Sequence, residues 1–357
     1  MKTYRTALCM AVGLAVWMLA CGQDAEPTRG PTSTPRGPAV TAVPAAPATE
    51  AAQPAAFTAT PTPQTPPTDE PQSGIPVYER AATWGMDPSD GVSFTSPNGI
   101  AIDSSDNVYV TEFRGNRVQK FTSDGVLVAQ WGSQGLEDGQ FRNPTGIAID
   151  GEGNVYVSES GNHRVQKFTS DGQWLASWGS LGSGEGEFRS AMVIAADADG
   201  KLYVSDWGNN RIQVFDSEGT YLDAWGLRGT AVGELATPTG LKVDSDGNLW
   251  VVDRGNSRVL KLTRDGEILA KWGSEGYGHG EFRVPTSIAI DGDGNFYVAD
   301  VETSRVQIFS PTGEYLSELA PGLLSGPHGL AFDSAGELYV GDTRNNYVRK
   351  FRLTDPP

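Results

Sequence analysis

After residue 21 the sequence contains no cysteine: its two, Cys9 and Cys21, both fall in the first 21 residues. The rest of the chain therefore has neither disulfides nor thiolate metal sites, and a cysteine nucleophile is excluded from it. Histidine is nearly as scarce, with His163, His279 and His328 the whole complement. Positive charge is short too: 27 Lys and Arg stand against 44 Asp and Glu, a formal net charge of −17. Residues 1–74 hold four basic groups (Lys2, Arg5, Arg29, Arg36) and five acidic ones (Asp24, Glu26, Glu50, Asp69, Glu70), so about −16 falls on the remainder. A surface of that sign repels phosphate backbones, which argues against a nucleic-acid partner, and draws cations or basic partners. The apolar run Ala7–Ala20, 14 residues, is too short for a comfortable membrane span.

What is present at the N-terminus has the layout of an export signal. Lys2 and Arg5 precede the apolar run, which ends Met18-Leu19-Ala20-Cys21-Gly22. Small residues before a cysteine resemble a bacterial lipoprotein lipobox, with Met18 where Leu is usual. The resemblance implies lipidation of Cys21 and an anchor on the outer face of the cell membrane. An ordinary signal peptide cleaved nearby, giving a secreted chain, is the alternative. Residues 22–74 are rich in Pro, Thr and Ala, as in the run TPTPQTPPTDEP. Such a segment buries too little apolar surface to offset its ordering entropy, so it reads as a disordered tether with polyproline II character.

From residue 75 onward one phrase recurs. Its Trp-Gly anchor sits at Trp84, Trp131, Trp178, Trp225 and Trp272, a step of 47 residues each time, and the next step lands on Leu319-Ala320. A period of this length, without drift, means an array of like units stacked on one another. Each copy holds four runs with strand composition. In one copy they are Gly146–Asp150, Asn154–Glu159, Arg164–Phe168 and Gln173–Trp178, separated by D-x-x-G-N and S-D-G turns. Four antiparallel strands per unit describe a β-propeller blade. The innermost runs lie at about 99–103, 146–150, 193–197, 240–244, 288–291 and 329–333. The last copy stops near Phe351-Arg352, whereas a spare fourth strand lies at Val77–Trp84. The expected fold is therefore all-β, a six-bladed propeller over residues 75–357, closed by its N-terminal strand.

The stretch GQFRNPTGIAIDGEGNVYVSESGNHRVQKF (139–168) resembles the NHL repeat, and the resemblance runs through six copies over about 280 residues. It implies a ligand- or protein-binding platform, with lyases and related enzymes the minority case. Blades of WD40 or kelch type are excluded by the missing Gly-His…Trp-Asp pairing and Gly-Gly doublet.

Repetition also separates scaffold from site, since whatever every blade carries builds the blade. Six carboxylates end the second strands (Glu112, Glu159, Asp206, Asp253, Asp300, Asp342), and five arginines follow (Arg117, Arg164, Arg211, Arg258, Arg305), with Tyr347 in the sixth place. These read as structural pairs rather than a charged ring. Asp244–Asn248 and Asp291–Asn295 imitate the start of a calcium loop, but the second has Phe296 where an EF-hand needs Gly and strands rather than helices flank it, so they read as turns. Residues peculiar to one blade are free for recognition. Around the axis, at the start of the innermost strands and in the second-to-third strand loops, these are Asn98, Phe113, Arg114, Met192, Trp207, Arg254, His328 and Arg344. Exposed aromatic and Arg side chains are the composition of binding hot spots.

The expectation is a non-catalytic platform for a protein, peptide or glycan outside the cytoplasm, with no cofactor, no catalytic residues and no metal ligands. Its alternative is a metal-dependent lyase or lactone hydrolase using the axial pocket near His328, with zinc or calcium. The resemblance implies an amidating-lyase zinc site for that alternative, and the scattered histidines fit it poorly.

Overall fold

The structure, a computed structural model, describes residues 76–86 and 91–354. The export segment, Cys21 and the Pro/Thr/Ala-rich stretch lie outside the described residues.

Six four-stranded antiparallel sheets make six blades. Blade one runs outward through Pro97–Ile102, Val108–Glu112, Arg117–Phe121 and Leu127–Trp131. The other inner strands are Pro144–Ile149, Ala191–Ala196, Pro238–Val243, Pro285–Ile290 and Pro327–Phe332. Each begins two or three residues before the repeat's Gly-Ile-Ala core. The irregularity is a break in register after that first residue, as between Pro144 and Ile147. Proline suits this position because a strand's first residue need not donate to the ladder. Every inner strand touches the next and the sixth touches the first, so the ring is closed.

Closure uses the N-terminal strand, as the strand count predicts. Val77–Trp84 pairs antiparallel with Tyr347–Thr354, giving the sixth blade its outer edge. Trp84 then sits against Tyr339 of its own blade and Phe121 of the next, both at 5.4 Å. Trp131 makes the same bridge between Tyr109 and Phe168. The Trp-Gly anchor is thus an inter-blade wedge. The wedge explains the glycine of the S-D-G turn: a Cβ at Gly219 would collide with the Trp178 ring, and its φ of +86° already favours glycine.

The core lies between blades. The second strands are buried along their whole length, and they cluster with the inner and third strands of the neighbouring blade, as Leu338 and Val340 do with Ala289, Val306 and Ile308. Where the repeat reads Leu319-Ala320, Leu319 is buried and Ala320 keeps the positive φ, +42°, that glycine holds in other copies. Two features not visible in the sequence are short parallel pairs inside the inter-blade loops, Leu227–Arg228 with Glu234–Leu235 and Ser274–Glu275 with Glu281–Phe282.

Candidate functional site at the axis

Antiparallel strands put the second-to-third strand loops and the starts of the inner strands on one face. The D-x-x-G-N hairpins lie on the other. On that second face Asp244 accepts amide protons from Asp246 and Asn248 at 3.1 and 2.8 Å, while its other oxygen takes the Trp250 indole N–H at 2.9 Å and the Lys261 ammonium. Asp291 is used likewise, by Asp293, Asn295 and Tyr297. Both oxygens are engaged by amides of the turn and by side chains of the adjoining strands, so these are structural turns.

The recurring carboxylates are also structural. Asp253 is fully buried and accepts from Arg258 Nε and Asn256 Nδ2, both at 2.7 Å, and from the Ala236 amide at 2.7 Å. Arg258 passes its remaining N–H groups to carbonyls of Thr230, Ala231 and Glu234 in the preceding loop. Glu112, Glu159 and Asp206 hold Arg117, Arg164 and Arg211 in the same way. Two blades differ. Arg305 spends its guanidinium on the carbonyls of Tyr277, Gly278 and Glu281. In blade six Arg349, not Tyr347, binds Asp342 at 2.6 Å. A charged side chain buried this completely has to be paired, and these pairs tie each loop to its neighbour.

With these groups consumed, the side chains peculiar to single blades remain. Arg254 and Arg344 occupy 3-10 turns at the loop tips of blades four and six. His328 is the second residue of the blade-six inner strand, where other blades carry Thr145, Thr239 and Thr286. Its Nδ1 stands 3.1 Å from the Gly326 carbonyl oxygen, which assigns the proton to Nδ1 and leaves Nε2 as the acceptor. Burial, joined by the nearby Arg254 and Arg344 charges, pushes His328 down to about 4, so the ring is neutral at physiological pH. Gly326 completes the corner: the stem of Arg344 crosses it so closely that a Cβ there would meet Arg344 Cγ and Cδ at 2.9 Å. Neither the Arg254 nor the Arg344 guanidinium makes an ion pair among the described residues, and burial lowers the Arg254 value.

The structure therefore brings Arg254, His328 and Arg344 together. Asn98 and Met192 start their inner strands at the same level and are half-buried. Phe113, Arg114 and Trp207 occupy loop tips of blades one and three, with Arg114 exposed and the two aromatic residues half-buried. The other histidines are elsewhere. His279 stacks on Tyr315 at 4.1 Å, and His163 lines a shallow surface recess with Leu136, Arg164 and Leu181. Burial lowers the His163 value. Among the described residues no three His, Cys, Asp or Glu side chains form a group able to hold a metal ion. The charged groups beside His328 are two guanidiniums, which do not fit a cation.

One axial residue escapes a reading by composition. Lys242, next to last in its inner strand, stands where the other five copies have Ala101, Ala148, Ala195, Ala289 and Ala331. It is exposed, although it lies inside the innermost strand of a closed ring. The departure was visible in the repeat, but the run as a whole reads as a strand buried on both faces.

Comparison with known proteins follows the fold. Among curated proteins no sequence matches the chain. A catalytically inactive histidine-to-alanine variant of virginiamycin B lyase from Staphylococcus aureus, solved with quinupristin, superposes with a TM-score of 0.53 at 18% identity, covering 72% of this chain and 80% of that one. A gluconolactonase from Xanthomonas campestris gives 0.53 at 19% identity, with 73% and 87% covered. A chain of a nidogen/laminin complex gives 0.51 at 20% identity, with 66% and 84% covered. These likenesses establish the shared propeller fold. Residues 91–350 match the virginiamycin B lyase family, and the chain belongs to that family.

Proposed function

We propose that this chain is an exported, lipid-anchored, NHL-type propeller that works as a non-catalytic recognition platform for a protein, peptide or glycan outside the cytoplasm. The face that binds is the axial one bearing Asn98, Phe113, Arg114, Met192, Trp207, Arg254, His328 and Arg344. The lipidated Cys21 supplies the anchor, and residues 22–74 hold the propeller away from the membrane. The observation that supports this most is the chemistry of the axial corner. Two uncompensated guanidiniums beside a neutral imidazole offer hydrogen-bond donors and charge, but no carboxylate free to hold a metal or act as a base. The likeness to a chain of a nidogen/laminin complex agrees with a binding role for such a ring.

The family speaks for a second reading, a lyase or lactone hydrolase in which His328 acts through its free Nε2. Here the residues depart from what metal-assisted chemistry requires, and no step is derived through a metal. The test offers quinupristin and gluconolactone to the purified chain with added divalent cations. The recognition reading expects no turnover above the uncatalysed rate. Turnover that disappears in His328→Ala would establish the enzyme instead.

A further inference from the structure

The outer strand of each blade is a sheet edge on the circumference of the ring, and such edges are ordinarily guarded by charge. Four blades follow that rule. Asp223 stands on the outer strand of blade three, Lys271 on that of blade four, Glu318 on that of blade five, and Glu79 and Arg80 on the N-terminal strand that finishes blade six. Blades one and two do not: their outer strands, Leu127–Trp131 and Trp174–Trp178, read LVAQW and WLASW without a charged residue. They also expose more apolar surface. Val126, Leu127, Val128, Trp174 and Leu175 are all exposed there, against Leu222 alone on the outer strand of blade three and Leu269 alone on that of blade four.

Ala129 and Ala176 hold the place that Asp223 has in blade three. Asp223 both charges its edge and accepts the Trp225 indole N–H at 2.9 Å. Without it the Trp131 and Trp178 indole N–H groups are buried with no acceptor among the described residues, whereas Trp272 reaches the Thr312 carbonyl oxygen. Two charged side chains do bond to these strands, and both are held in ion pairs: Arg117, which donates to Gln130, with Glu112, and Asp138, which accepts from Ser177, with Arg164.

We infer that the uncharged rim of blades one and two is the contact through which two copies of this chain associate. A chain with a net charge of −17 repels its own copies over most of its surface, so they meet most readily where charge is missing. A basic partner would be drawn to the acidic surface elsewhere and gain nothing from this patch. The patch also mates with itself, as a two-fold contact requires. A two-fold axis lying across the strands sets each edge antiparallel to its own counterpart. Asp124 and Asp171, in the turns that lead into the two strands, then lie at opposite ends from their counterparts. A bulge at Val128 and at Leu175 interrupts both ladders, so the contact is made by apolar side chains and not by continuing the sheets. It lies away from the axial face, and the inference stands or falls independently of what that face binds.

Sedimentation velocity on a dilution series of the purified full chain tests it. The expected species is a reversible dimer whose share grows with added salt, because screening weakens the repulsion between like-charged copies. Ala129→Asp/Ala176→Asp installs the residue of blade three and should weaken dimerisation about tenfold or more. Its unfolding temperature, taken at a dilution where both proteins are monomeric, should equal or exceed that of the parent, since each new carboxylate can take an indole N–H. Leu222→Asp/Leu269→Asp puts the same charge on the edges of blades three and four and should leave dimerisation unchanged. Amide hydrogen exchange of the parent needs no variant: residues 127–131 and 174–178 should exchange more slowly in the dimer than in the monomer. A monomer at every concentration and salt overturns the inference. So does a dimer that the first variant leaves intact, one that both variants weaken equally, growth beyond the dimer, or exchange in the two strands that association leaves unchanged.

Discussion

The Thr354 hydroxyl donates to the carbonyl oxygen of Val77 at 3.0 Å, across 277 positions of the chain. That bond is the last rung of the ladder by which the N-terminal strand completes blade six. It makes the ring's closure non-covalent and dependent on one short segment.

Deleting residues 76–84 therefore removes a full strand, the Trp84 wedge and the Tyr78–Tyr297 hydroxyl contact together. The expected result is a fall in unfolding temperature of about 10 °C or more, since losses of several kcal/mol are normal when an edge is opened and a core aromatic removed. Circular dichroism melts of the two forms measure it, and an unchanged midpoint would defeat the closure argument.

Replacing Asp253 with Ala leaves Arg258 without its carboxylate while the arginine stays largely buried. A cost of about 3–5 kcal/mol follows, because the lost partner exposes an uncompensated charge. Arg114→Ala, at an exposed loop tip, should change stability by no more than about 0.5 kcal/mol. Chemical denaturation of both variants checks the contrast between scaffold and surface.

The pH dependence has a definite sign at His328. Its value in the folded chain is depressed to about 4, below the unfolded 6.5, so the unfolded chain binds the extra proton first. This contribution to stability is fully present above pH 6.5 and is lost as the pH falls from 6.5 towards 4. Carboxylates such as Asp103 and Asp150, whose values hydrogen bonds hold down against an opposing desolvation, lose their contribution at lower pH. His328→Thr, which restores the residue of three other blades, should flatten the melting temperature between pH 6.5 and 4 relative to the parent. Parallel curves would show that the imidazole is not held neutral by its surroundings.

Much of the fold was legible because the repeat itself is a controlled comparison. Trp-Gly anchors, Asp-led turns and Arg–carboxylate pairs recur with the spacing that each blade's geometry demands, and the spare strand at Val77–Trp84 declared the closure. The site was less legible for the same reason. His328, Arg254 and Arg344 stand out as departures from the pattern, but their convergence depends on which blades meet across the axis. Lys242 was harder still: inside an apolar run it resembles a tolerated substitution, and only the structure shows that it is exposed. Tyr347 misled for a local reason, since Arg349 reaches Asp342 from two positions further along the same strand.

The central claim, that the axial corner is built for recognition and not for metal chemistry, is tested most directly by elemental mass spectrometry of the purified full chain, dialysed without chelator, beside His328→Ala. The account predicts far less than one equivalent of any transition metal and no difference between the two proteins. One equivalent per chain, lost on the substitution, would contradict it.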